Sequence, residues 1–165
     1  VVPPDAPSAS PVREAFYQRE LAYTARRWRE VFRGDLPVKR AAQLTPDDLR
    51  NKNLILFGEP STNPKMAELL GQTPIAWQPD EVRLGARSWK SPNLVPLAIY
   101  PNPKQPGRYI VLNSGPTIRE RSDPNNSLQT PQLPDWAVLD VGAPATDSAP
   151  AKIVDAGFFN EEWMP

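Results

Sequence analysis

The chain has no histidine and no cysteine among its 165 residues. Without histidine, no Ser-His or Cys-His relay and no imidazole metal ligand can be assembled from it. Without cysteine there is no thiolate nucleophile, disulfide or iron–sulfur ligation, and the redox compartment is left open. Net charge is missing as well: nineteen basic residues cancel nineteen acidic ones. No global field therefore favours nucleic acid or an anionic membrane as a partner. No apolar run approaches the roughly 20 residues that a spanning helix needs, so a soluble chain with no membrane partner is expected.

Proline is abundant instead. The chain holds 22 prolines, well above the ordinary share of about 5%. They are spread between apolar runs, which predicts a folded domain with many rigid loops rather than a disordered tract. The length suits a single domain with a real core. The chain opens Val1-Val2-Pro3-Pro4 with no methionine, which reads as a piece of a longer protein. Residues 1–10 are expected to be an extended linker of prolines and small residues, and 11–165 a single domain.

Ser10 and Pro11 start a long predicted helix, with Ser10 as cap and proline at the first position. Tyr17, Leu21, Trp28 and Phe32 recur at helical spacing, Ala25 and Val31 widen the stripe, and Gly34 is the expected stop. Six arginines make this segment basic; a solvated face explains them, and a docking face for an acidic partner is the functional alternative. Thr45-Pro46-Asp47-Asp48 marks a second helix start. Capping and the helix dipole account for both aspartates without a metal, and no cofactor is expected.

The stretch Asn53 to Gly71, NLILFGEPSTNPKMAELLG, organises the reading. An apolar run ends at Gly58, a polar loop follows, and Asn63-Pro64 starts a third helix that Gly71 is expected to end in the left-handed conformation. Strand, loop and helix in that order are a common ligand position in α/β folds. The candidate ligand-binding residues are Glu59, Ser61, Thr62, Asn63 and Lys65, with Ser114 after a later strand. The loop matches neither GxxxxGK[ST] nor GxGxxG, and Glu59 would repel an anion. A Ser-Lys pair is the only serine mechanism open without histidine. Ser61 and Lys65 have the spacing, but LNSGP around Ser114 is not GxSxG. No catalytic residue is assigned. Glu59 and Asp140 are a further carboxylate pair that a glycosidase mechanism would need close together.

A β-rich region follows, with predicted strands at 74–77, 81–84, 87–89, 94–100, 108–113, 136–141 and 152–158. Gly85-Ala86 reads as a two-residue hairpin turn, and Pro96 places its strand at an edge or a bulge. Thr117 to Arg121 is a possible helical turn within a long polar loop that runs to Pro134. Trp77, Trp89, Tyr100, Tyr109, Trp136 and Trp163 suit a core, with a sugar- or peptide-binding patch as the alternative. The expected fold is α/β: one mixed, central sheet of five to seven strands flanked by helices, three-layered or flavodoxin/Rossmann-like.

Taken in order, NLILFGEPSTNP, VPLAIYPNP, RYIVLNSG, LPDWAVLD and AGFFNEEW resemble a domain that follows the catalytic part of secreted peptidase- or esterase-like proteins. Those are proteins of prolyl-oligopeptidase (α/β-hydrolase) type from planctomycete and acidobacterial bacteria, and the resemblance spans residues 11 to 164. It implies an exported, modular protein in which an attached α/β-hydrolase domain holds the Ser-Asp-His set. No residue here matches a triad motif, so the implied role is a non-catalytic accessory one.

Overall fold

The structure, a computed structural model, describes residues 1–115, 134–144 and 151–165. Its helices are α1 (Pro11–Phe32), α2 (Pro46–Asn51) and α3 (Pro64–Leu70), and its strands are β1 (Leu54–Leu56), β2 (Ile75–Gln78), β3 (Glu81–Leu84), β4 (Arg87–Lys90), β5 (Leu94–Pro101), β6 (Tyr109–Leu112), β7 (Trp136–Asp140) and β8 (Lys152–Gly157). Two sheets form among the described residues, one of five strands in the order β1-β6-β5-β7-β8 and one of three, β2-β3-β4. β1 lies parallel to β6, and every other pairing is antiparallel.

The expectation of a mixed sheet with helices holds at that level. In a doubly wound fold, parallel strands alternate with covering helices. Here the chain leaves β1 through α3, builds the whole three-stranded sheet, and returns along β5 before β6 pairs with β1. The second sheet packs against the larger one, β3 lying near β5, within one shared core. Residues directly opposite in a sheet share a face, which sets Leu54, Leu56, Ile110, Leu112, Ala98 and Trp136 together. The small sheet turns Ile75, Trp77, Val82 and Leu84 to the same core. Trp89 meets Trp136 at 5.9 Å between ring centroids, and Arg87 stacks on the Trp136 ring at 5.3 Å. Gly157 stands opposite Trp136 in register; a Cβ there would lie 2.6 Å from the indole, so glycine is what lets the ring lie flat.

Pro96 lies in β5, which is flanked on both sides in the strand order. The Ile99 N–H donates toward β7, to Asp135 O, so the two-residue alternation turns the Pro96 nitrogen toward β6. The β6 ladder begins only at Ala98. Proline thus occupies the one stretch where β5 is locally an edge.

Three local expectations need correction. Gly71 is right-handed (φ −60°), because α3 closes on a tight turn instead of a left-handed cap. Arg33 (φ 58°), not Gly34, is the left-handed residue that ends α1. The buried stripe of α1 is Arg13, Phe16, Tyr17, Glu20, Thr24 and Arg27, rotated away from Leu21 and Phe32. Two of the six arginines read as solvent-facing, Arg13 and Arg27, are therefore inside, which costs far too much for unpaired charge. Arg13 pairs with Glu59 and Arg27 with Glu30.

Residues 1–9 are extended, as a linker would be, yet they are held to the domain. Val2 is 1% exposed and forms a parallel bridge with Leu56. Its N–H donates to Ile55 O at 2.7 Å, and its carbonyl accepts from Phe57 N at 3.0 Å. The segment continues the large sheet beyond β1. The possible helical turn at 117–121 and nearly all of the long loop lie outside the described residues.

Candidate functional site

Two residues after β1 ends at Leu56, the chain is already turned and locked. Gly58 has φ +103°, a conformation that side chains rarely adopt. A Cβ there would also lie 2.9 Å from both Pro4 Cβ and Thr62 Oγ1. Its N–H donates to Asn113 Oδ1 at 2.9 Å. Asn113 follows β6, the parallel neighbour of β1, and is itself left-handed (φ 51°) and fully buried. The turn then closes on Glu59: its carbonyl accepts from Thr62 N and Asn63 N, both at 2.9 Å, and its N–H donates to Thr62 Oγ1 at 3.2 Å.

Asn63 caps α3, as its sequence context predicts. Its Oδ1 accepts from Lys65 N and Met66 N, each at 3.1 Å. Its Nδ2 donates to Phe57 O at 2.9 Å and to Val2 O at 3.1 Å. Both lone pairs and both amide hydrogens are in use.

Glu59 is the hub, and it is 5% exposed. Oε2 lies 3.1 Å from Arg13 Nε, off the line of a hydrogen bond, so that nitrogen has no formal acceptor while the charges still face each other. Tyr17 Oη donates to Oε2 at 3.5 Å. On the other oxygen, Ser8 Oγ donates at 2.8 Å and Ser61 Oγ at 3.2 Å. Arg13 Nη1 also donates to Pro79 O at 3.1 Å, which ties α1 to the β2–β3 turn. One carboxylate thereby joins the N-terminal segment, α1, the loop and, through Arg13, the small sheet. Burial, and then the Glu59 charge, push the Tyr17 phenol far above its ordinary value.

The structure gathers Glu59, Ser61, Thr62 and Asn63 and leaves Lys65 and Ser114 apart from them. Lys65 pairs with Glu68 on α3, which also takes Lys104, and these two amines hold the Glu68 carboxyl below its usual range. Ser61 thus donates to a carboxylate and Lys65 to a different one; no Ser-Lys dyad is assembled between them. Ser114 lies by a cavity of about 290 Å³ with Leu97, Ile99, Val111 and Ala137, which belong to the opposite face of the large sheet by register. Glu59 follows β1 and Asp140 ends β7, three strand spacings apart in the order, or about 14 Å between strand axes at 4.7–4.9 Å per strand. Both Glu59 oxygens are already engaged by Arg13, Tyr17, Ser8 and Ser61, whereas a glycosidase pair needs two available carboxyl groups about 5 to 9.5 Å apart.

Arg13, Tyr17, Ser8 and Asn113 complete the arrangement, and the sequence marks none of them as a site residue. Buried charge on a helix leaves no periodic mark, and Asn113 reads only as the end of a strand. Elsewhere, Asp48 accepts from Lys39 at 2.6 Å and from Thr45 N at 2.9 Å, and these bonds, Lys39 first, hold its carboxyl well below the usual range. Among the candidate aromatics, Trp77 and Trp136 are buried, while Trp89, Tyr100 and Trp163 pack on the core. Tyr109 stays 38% exposed. Among the described residues, no helix is long and apolar enough to cross a membrane. No family model, no curated protein and no solved structure matches the chain.

Proposed function

We propose that this chain is a non-catalytic accessory domain of a secreted serine hydrolase, a peptidase or esterase whose catalytic residues sit in an attached α/β-hydrolase domain. The observation that supports this reading is the internal engagement of the 58–65 loop. Every polar side chain that a strand–loop–helix site would turn toward a ligand is instead bonded to the chain's own segments. Such a joint gives rigidity where an active site would keep groups available. The absence of histidine and cysteine removes the common self-contained hydrolytic mechanisms. The hydrolase attachment and export rest on the resemblance of residues 11–164 alone.

The test is an assay of the purified chain against a panel of p-nitrophenyl esters and fluorogenic peptides. Rates equal to the buffer blank are expected. Turnover that disappears in Ser61→Ala or Ser114→Ala would overturn the reading.

A further inference from the structure

The last turns of α1 and the loop after it carry a surface that the domain's own packing leaves unused. Trp28 and Phe32 stack at 4.4 Å between centroids, and Phe32 is still 55% exposed. Val31 and Val38 nearby are exposed as well. Beside them opens a cavity of about 280 Å³, walled by Val2, Trp28, Leu36, Leu44 and Ile55 with Lys52 at its lining. That is room for one large apolar side chain, in the mostly apolar, sparsely polar lining that binding pockets have.

The charge around it is mainly positive, although Asp48 is also in the lining. Residues 26–40 hold six cations against Glu30 and Asp35. Those two carboxylates are already paired with Arg26, Arg27 and Arg29, and Asp48 is taken by Lys39. Among the described residues Arg33, Arg40 and Lys52 have no carboxylate partner. The chain as a whole is neutral, so this excess is local. An apolar anchor pocket with the unmatched Lys52 in its lining, beside a stretch of chain that carries the unmatched Arg33 and Arg40, is complementary to an acidic peptide segment bearing one bulky apolar residue. We propose that this face docks such a segment: the apolar side chain enters the cavity, and flanking carboxylates meet Arg33, Arg40 and Lys52. A nucleic acid would meet the cations but has no use for a mostly apolar pocket beside a domain of zero net charge.

Fluorescence anisotropy of the whole chain with labelled synthetic peptides tests this. The probes are a run of glutamates and aspartates with one central phenylalanine, the same run with serine in its place, a lysine-rich counterpart with the phenylalanine, and a labelled oligothymidine strand. The acidic phenylalanine peptide is expected to bind, at least about tenfold more tightly than the serine form, and to weaken as salt rises. Arg33→Glu/Lys52→Glu, at exposed positions, should weaken it by at least about tenfold with the circular dichroism spectrum unchanged. Phe32→Ser should weaken it as well. Equal binding of the serine peptide, preference for the lysine-rich peptide, tighter binding of oligothymidine, or no binding of any probe would each overturn the proposal. So would self-association in sedimentation that the double variant abolishes, since the occupant would then be a second copy.

Discussion

Glu59 shows how one buried charge can define a domain's interior. With Arg13 it forms a pair whose side chains are each 7% exposed. Two buried ions are costly unless both are matched, and removing one partner typically loses about 3–5 kcal/mol because the other stays buried and bare. Arg13→Leu is therefore expected to lower unfolding free energy by about 3 kcal/mol in urea titration. Arg13→Leu/Glu59→Leu should recover part of that loss, because the uncompensated charge is gone. Tyr17 adds an alkaline signature. Its folded pKa is raised by burial and by Glu59, so the folded state holds the proton that the unfolded state releases near pH 10. Its contribution is complete below that value and declines above it, by about 1.4 kcal/mol per pH unit. Tyr17→Phe should flatten the fall of stability measured between pH 9.5 and 11, as denaturant midpoints will show, by an amount of that order.

At the scale of elements, the N-terminal segment behaves as a strand of the fold. Val2 exchanges two backbone hydrogen bonds with β1 and its flank, and Pro4 packs where a Gly58 Cβ would stand. Removing residues 1–9 uncovers Leu56 and Asn63 Nδ2 and leaves Glu59 without Ser8. A loss of at least about 2 kcal/mol is expected, from buried apolar area and unsatisfied polar atoms, read as a lower urea midpoint. Gly58→Ala should cost a similar amount, about 2 kcal/mol or more, through its positive φ and the contact with Pro4 and Thr62.

These elements also show what could be read beforehand. The hairpin around Gly85-Ala86, the capped starts of all three helices and all eight described strands are legible in the sequence, because each is set by local chemistry: turn residues, caps and short apolar runs. The sense of the 1–10 segment was not, since an extended proline-rich stretch looks the same whether it floats or pairs. The buried face of α1 is not legible because four of its six buried residues are polar, and hydrophobic periodicity cannot see Arg13, Glu20, Thr24 or Arg27. The candidate site was legible as a place but not as a role. Glu59, Ser61, Thr62 and Asn63 lie together while Lys65 and Ser114 of the same expected set lie apart, and the partners come from residues 8, 13, 17 and 113, which only the fold brings near.

For the whole molecule, two unequal sheets share one core, and the joint at 58–63 connects their edges to α1 and the chain's first residues. That arrangement suits a rigid domain that supports something else more than one that opens and closes on a substrate. The 58–65 loop is a structural joint with its polar groups engaged internally. Amide NMR of the ¹⁵N-labelled chain during titration with phosphate, a nucleotide and a simple sugar tests it most directly. The resonances of Gly58 to Lys65 are expected to stay in place through millimolar additions. A saturable shift centred on Glu59, Ser61 and Thr62, lost in Ser61→Ala, would contradict it.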